Sequence, residues 1–204
     1  MMLLNLIKKD FIVCRAYVWF AALYGLAITI FMPFSFGPVL MSTGMNYLLL
    51  STIHQMDDRC KGSALLGTLP YSRKQIVFAR YCTSMVLFAA CIAFYTVIML
   101  IASQFSNSFK EIGIFTVEGT LLAFAVSCLF SAIFIPLNYR LGSEKARYIN
   151  MIGFIGLFVL NMSSSEIFGS AGVDINVYVL ASVAAAILAV SYFVSVVIYS
   201  KKDF

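Results

Sequence analysis

Few side chains in this sequence could carry chemistry, and their spacing excludes the common kinds. The single histidine is His54. A zinc hydrolase needs a ligand cluster such as H-E-x-x-H, which one histidine cannot supply. A Ser–His pair would have to use His54, and no serine stands in a G-x-S-x-G setting. The five cysteines, Cys14, Cys60, Cys82, Cys91 and Cys128, include no pair at metal-ligand or redox-motif spacing. They read as small buried hydrophobes. No G-x-x-x-x-G-K-[ST] phosphate loop occurs, so the chain cannot hydrolyse ATP by that route. These absences point away from an enzyme, and no cofactor or metal is expected on this chain.

Two polar positions and one polar stretch remain. Glu118 stands in the apolar run "GIFTVEGTLLAF". An ionised carboxylate at membrane depth costs on the order of a few kcal/mol. Glu118 is therefore expected to face a bundle interior or a water-filled cavity, to stay protonated, or to snorkel outward; as a functional residue it would be a contact in a substrate path. His54 precedes Asp57 and reads either as an interfacial histidine bonded to head groups or backbone, or as a pH-sensitive contact. The stretch "GTLPYSRKQIVFARY" (67–81) is cationic between two oily runs. Ahead of it, Asp57 and Asp58 suit the first turn of a short helix, where carboxylates meet the positive dipole end. Leu65, Leu66 and Leu69 give that helix an apolar side, and Gly67 and Pro70 stop it. Ser72 and Gln75 then form a capping box that starts a new, long helix. A mixed apolar and charged short helix suits a groove on another protein; a solvated loop is the plainer reading.

The elements that position these residues follow from composition. The chain has 204 residues, of which 62% are hydrophobic and 11% charged, against roughly half and a quarter for a soluble domain. It reads as one all-α, polytopic membrane domain over 1–204. Six runs suffice for spans of about 20 apolar residues: 16–36, 38–55, 76–103, 112–137, 146–163 and 176–199. Residues 1–13, with Leu3, Leu4, Ile7, Phe11 and Ile12 at near-helical spacing, are expected to form an amphipathic helix in the interface, apolar side toward lipid. Arg80, Glu118 and Arg147 are the formal charges inside the runs. Every Lys and Arg except Lys110 falls in the N-terminal segment, the region 56–80, the region 138–147 or the C-terminus. By the positive-inside rule those four regions, and hence both termini, are cytoplasmic. The pI near 9.0 is thereby accounted for without nucleic acid. Gly153 and Gly156, with Ala181, Ala184, Ala185, Ala186 and Ala189, predict close helix approach in spans five and six, within a chain or across a dimer.

Several stretches taken together resemble a family. "LGTLPYSRKQIVFARY" (66–81) is similar to the loop of small, six-span bacterial permeases of type-2 ABC exporters, in which an LP-x-S-R-x-x-I-V pattern follows the second span. "LIKKDFIV" (6–13) is similar to that family's L-x-x-K-D start. "IPLNYRLGSEKARYI" (135–149) resembles its P-x-x-Y-x-F-G-x-x-K-A-R loop, with Leu141 where an aromatic is commoner. "IYSKKDF" (198–204) fits its basic ending. Within the family the chain looks most like permeases that export phenol-soluble modulins, short amphipathic peptides.

The resemblance implies a bacterial plasma-membrane permease working as a pair of chains, each above a cytoplasmic ABC ATPase that holds ATP and Mg. A coupling helix near 57–69, within the loop 56–75, would rest in a groove of the ATPase, with Asp57, Asp58, Arg59, Lys61, Leu65, Leu66, Leu69, Arg73 and Lys74 in the contact. Arg140, Glu144, Lys145 and Arg147 would make a second, smaller contact. Glu118 is the substrate-path candidate. Peptide-antibiotic or sodium export, or a non-transporting immunity or scaffold protein, are the alternatives.

Overall fold

A computed structural model describes residues 2–31, 37–60, 72–105, 117–142, 145–149, 151–156 and 176–201. Among the described residues the regular structure is entirely helical: α1 (Met2–Cys14), α2 (Val18–Phe31), α3 (Gly37–Arg59), α4 (Arg73–Phe105), α5 (Val117–Leu141) and α6 (Val177–Ser200). Residues 145–149 and 151–156 are helical as well.

Three of these helices, α4, α5 and α6, are long and apolar enough to cross a membrane. A fourth crossing is added if α1 and α2, bent by 66° at the break between Leu6–Cys14 and Val18–Ile28, form one broken span. The helix α3 has the length, at 23 residues, but is diluted by polar side chains. Ser42, Thr43, Asn46 and Ser51 are buried within the protein, so α3 hides its polarity among neighbours instead of offering it to lipid. The fifth expected run is helical at 145–149 and 151–156, and its remainder, 157–163, lies outside the described residues.

Packing explains the order of the bundle. The helix α5 lies against α3, α4 and α6, and α3 also meets α1, α2 and α4. One core joins Tyr47 and Leu50 of α3 to Val77 and Tyr81 of α4, Phe130, Phe134 and Ile135 of α5 and Tyr199 of α6. A second joins Cys14 and Ala21 to Met41, Met45 and Ile53 of α3 and to Leu87, Cys91 and Tyr95 of α4. A Cβ on Gly44 would run into the Tyr24 ring, and one on Gly25 would lie 2.5 Å from Met41 Cε. Glycine thus lets α2 and α3 approach closely. The outward faces of α2 and α6 are apolar, with Trp19, Phe20, Val190 and Phe193 exposed, the inverse of a water-soluble surface.

Hydroxyls tie the helices across their apolar seams. Ser84 and Ser131 are 2.7 Å apart and Thr43 and Ser127 3.4 Å. Tyr81 Oη lies 2.8 Å from both Ser191 and Ser195. Pro136 inside α5 lacks the N–H that would serve the Ala132 carbonyl. The Ser191 hydroxyl of α6 donates to that carbonyl at 2.5 Å instead.

The small residues fall into two groups within the chain. Ala181 and Ala184 are buried against Ala125 and Cys128 of α5, while Ala185, Ala186 and Ala189 are exposed. A Cβ added to Gly153 or Gly156 would meet nothing within 4 Å. The close seam is therefore α5 on α6, because Ala181 and Ala184 share one face with a spacing of three.

Candidate coupling site

The helix α1 turns one face inward through Leu6, Asp10 and Cys14, all buried and four residues apart. Phe11 and Ile12 stay exposed and Ile7 is half-buried. The buried carboxylate of Asp10, 2% exposed, decides what must sit beside it. An unpaired charge there would cost several kcal/mol, so a cation has to follow it inward.

That cation is Arg80, two turns into α4 and 5% exposed. Its Nη1 lies 2.9 Å from Asp10 Oδ1, and its Nη2 pairs with Asp57 Oδ2 at the end of α3. Lys9 Nζ reaches Asp57 Oδ1 at 2.9 Å and Asp10 Oδ1 at 3.5 Å. Thr83 Oγ1, one turn beyond Arg80, donates to Asp10 Oδ2 at 3.1 Å. Two cations and two carboxylates thus form a neutral cluster that joins α1, α3 and α4. The planar fork of arginine suits this place, because it can meet two carboxylates at once.

Asp57, Asp58 and Arg59 form the last turn of α3, not the first turn of a separate short helix. A carboxylate at a helix C-terminus meets the negative dipole end. For Asp57 the ion pairs with Lys9 and Arg80 offset this, which is why the helix can run on past His54. Lys61, Leu65, Leu66 and Leu69 lie outside the described residues, as does Glu144.

The capping box forms as expected. Gln75 N donates to Ser72 Oγ at 3.3 Å, and Ser72 N donates to Gln75 Oε1 at 3.1 Å, starting α4 at Arg73. Arg73 Nη1 donates to the Ser200 carbonyl, a cation at the C-terminal end of α6, where the dipole favours it. Lys74 is exposed.

The helix α5 ends at Leu141 because Gly142 takes a φ of 78°, a left-handed conformation open to glycine. The chain turns there, and Ala146 N donates back to the Gly142 carbonyl at 3.1 Å. This turn brings Lys145 and Arg147 opposite the end of α3. A cavity of about 570 Å³ lies between them, lined by Gln55, Asp58, Arg59, Leu141, Gly142, Lys145, Arg147 and Tyr148. Two groups of residues that are far apart in sequence thus share one concave surface. Arg140 is exposed and does not line it.

His54 is buried at 7% exposure and is no head-group contact. Its ring lies 5.6 Å from that of Phe134 and 6.0 Å from that of Tyr139. Glu118 stands in the first turn of Val117–Leu141 and is exposed. It thus sits where the helix dipole favours a carboxylate. No group of three or more potential metal ligands occurs among the described residues.

Asp10 and Thr83 are the residues that sequence reasoning missed. Arg80 was the available signal: a charge inside an apolar run must find a partner, and Asp10, Asp57 and Asp58 are the carboxylates flanking the adjacent runs.

No curated protein and no solved structure matches the chain. The family model described as ABC-2 family transporter protein matches residues 5–200, which takes in every described helix but the first turn of α1. With its apolar spanning helices, the chain is a multi-pass membrane protein that belongs to the ABC-2 transporter family, as the permease component of an ABC transporter.

Proposed function

We propose that this chain is the permease of an ATP-driven exporter of amphipathic peptides, with six spans and both termini in the cytoplasm of a bacterial cell. A separate ABC ATPase, holding ATP and Mg, docks on the segment 57–74, with the loop 140–147 as a second contact, and two permease chains enclose the path. The observation that carries this reading is the Lys9–Asp10–Asp57–Arg80 cluster. A push on the segment after Asp57 reaches α1 and α4 through ion pairs that resist separation. The helix α4 then carries the displacement through the bilayer. The cargo assignment rests on the resemblance to modulin exporters and on the scarcity of charge within the spanning helices. Such cargo can enter sideways from the inner leaflet.

The test is to co-express the chain with the ATPase encoded beside it, purify by a tag on this chain, and measure ATP turnover with and without an amphipathic helical peptide. Turnover that responds to the peptide is expected. Charge reversal at Asp58 and Arg59 is expected to abolish that response. A scaffold or immunity protein would tolerate the reversal and bring down no ATPase.

A further inference from the structure

We propose that the cavity between the end of α3 and the turn after α5 is a binding site for an anionic phospholipid, with its phosphate held by Arg59, Lys145 and Arg147. Among the described residues the cavity lining has three cationic side chains and one carboxylate, Asp58, a formal excess of two positive charges. Its volume, about 570 Å³, falls within the usual range for small-molecule sites, roughly 300–1,000 Å³. Basic pockets between spanning helices are suited to phosphate head groups.

The surroundings select a lipid over other anions. Tyr148 lines the cavity and is 69% exposed, and the chain continues from it into Ile149, Met151, Ile152 and Ile155, all exposed. A cationic recess thus opens onto an apolar surface. That surface belongs to an expected span and meets acyl chains, so the anions next to the recess in the bilayer are lipid head groups, whereas a soluble phosphate or an acidic protein segment would make no use of the apolar side. A diacyl lipid satisfies both, its head group in the recess and its chains along the isoleucines. Arg59, Lys145 and Arg147 also fall in the segments proposed to meet the ATPase, so the lipid is measured on the chain alone, where its binding does not rest on that reading.

The test uses the purified full chain in a neutral detergent. Native mass spectrometry counts retained phosphatidylglycerol against phosphatidylcholine, and thermal unfolding is followed in parallel. The wild type is expected to retain phosphatidylglycerol preferentially. Lys145→Gln/Arg147→Gln is expected to lower that preference about tenfold or more, at roughly 1 kcal/mol for each cation near the surface. Arg59→Gln alone is expected to lower it in part, and serves if the double variant does not fold. Lys8→Gln/Arg15→Gln removes the same charge from exposed positions elsewhere and should leave the preference intact.

Equal retention of both lipids, an unchanged preference in the cavity variants, or an equal loss in Lys8→Gln/Arg15→Gln would overturn the proposal. So would glycerol 3-phosphate stabilising the chain as well as the intact lipid does, which would make this a soluble-anion site. Loss of ATPase co-purification in the cavity variants with lipid preference unchanged would reassign the cavity to a protein contact.

Discussion

Arg80 is the residue on which the charged end of the bundle turns. It faces two carboxylates, and each loses its closest arginine partner if the guanidinium is removed. Lys9 keeps Asp57 partly compensated, so the main penalty falls on Asp10. Removing one member of a buried pair typically costs about 3–5 kcal/mol. Arg80→Met is expected to destabilise the chain by that order, read as a lowered unfolding midpoint in detergent. Adding Asp10→Asn should recover much of the loss, since the stranded charge is then gone. If the double variant is as unstable as the sum of the singles, the cluster is not the source of the effect. Arg80→Lys should fall between, because a single ammonium cannot fork to both carboxylates. Asp10 shows why this residue scale was only half legible. In sequence it is one charge among Lys8, Lys9 and Asp10 in a short segment; helical spacing from Leu6 to Cys14 is what turns it inward.

At the scale of elements, α5 and α6 depend on each other through a defect in α5. Pro136 leaves the Ala132 carbonyl without its own helix's donor, and Ser191 supplies one. Ser191→Ala should cost about 1–3 kcal/mol by orphaning a buried acceptor. Ser182→Ala, on the exposed side of the same helix and bonded within it to Val179, should cost far less. Pro136→Ala combined with Ser191→Ala should regain stability, because the restored N–H serves the carbonyl; no regain in the double variant would refute this account. At the start of α4, Ser72→Ala removes one half of the capping box and should cost about 1 kcal/mol. The Gln75 amide keeps its bond to the Ser72 carbonyl at 2.9 Å, so the loss should show as faster hydrogen exchange across the frayed first turn, while exchange in the centre of α4 stays unchanged. The proline and the capping box could both be read from sequence. That a serine more than fifty residues away completes the proline's missing bond could not.

The whole molecule poses the question of topology, and its thiols offer a direct answer. Cys14, Cys91 and Cys128 are buried and Cys82 is half-buried, whereas Cys60, just past the end of α3, is exposed. With six crossings Cys60 faces the cytoplasm. A membrane-impermeant maleimide should then label it in inverted vesicles and not in intact cells. A Ser108→Cys variant, beside Lys110 in the expected outer loop, should behave in the opposite way. Labelling of both sites from the same side would require a different number of crossings.

The sequence by itself determined the class and the local signals. Composition demands a membrane, because so apolar a chain has no other solvent that suits it. Helix is the consequence, since backbone groups in lipid must bond within their own segment. The Ser72–Gln75 cap is legible for a similar reason: its partners are three residues apart, and chemistry over that distance needs no knowledge of the fold. Tertiary structure decided what depends on distant partners. Asp57 sits in the last turn of α3 because Lys9 and Arg80 neutralise it there. His54 is buried because Phe134 and Tyr139 come to it from α5. The cationic cavity exists because Gly142 turns the chain back toward α3. In each case the deciding energy is a contact between segments tens of residues apart; residue type along one segment can show that a partner is needed, as Arg80 does, but not which residue supplies it.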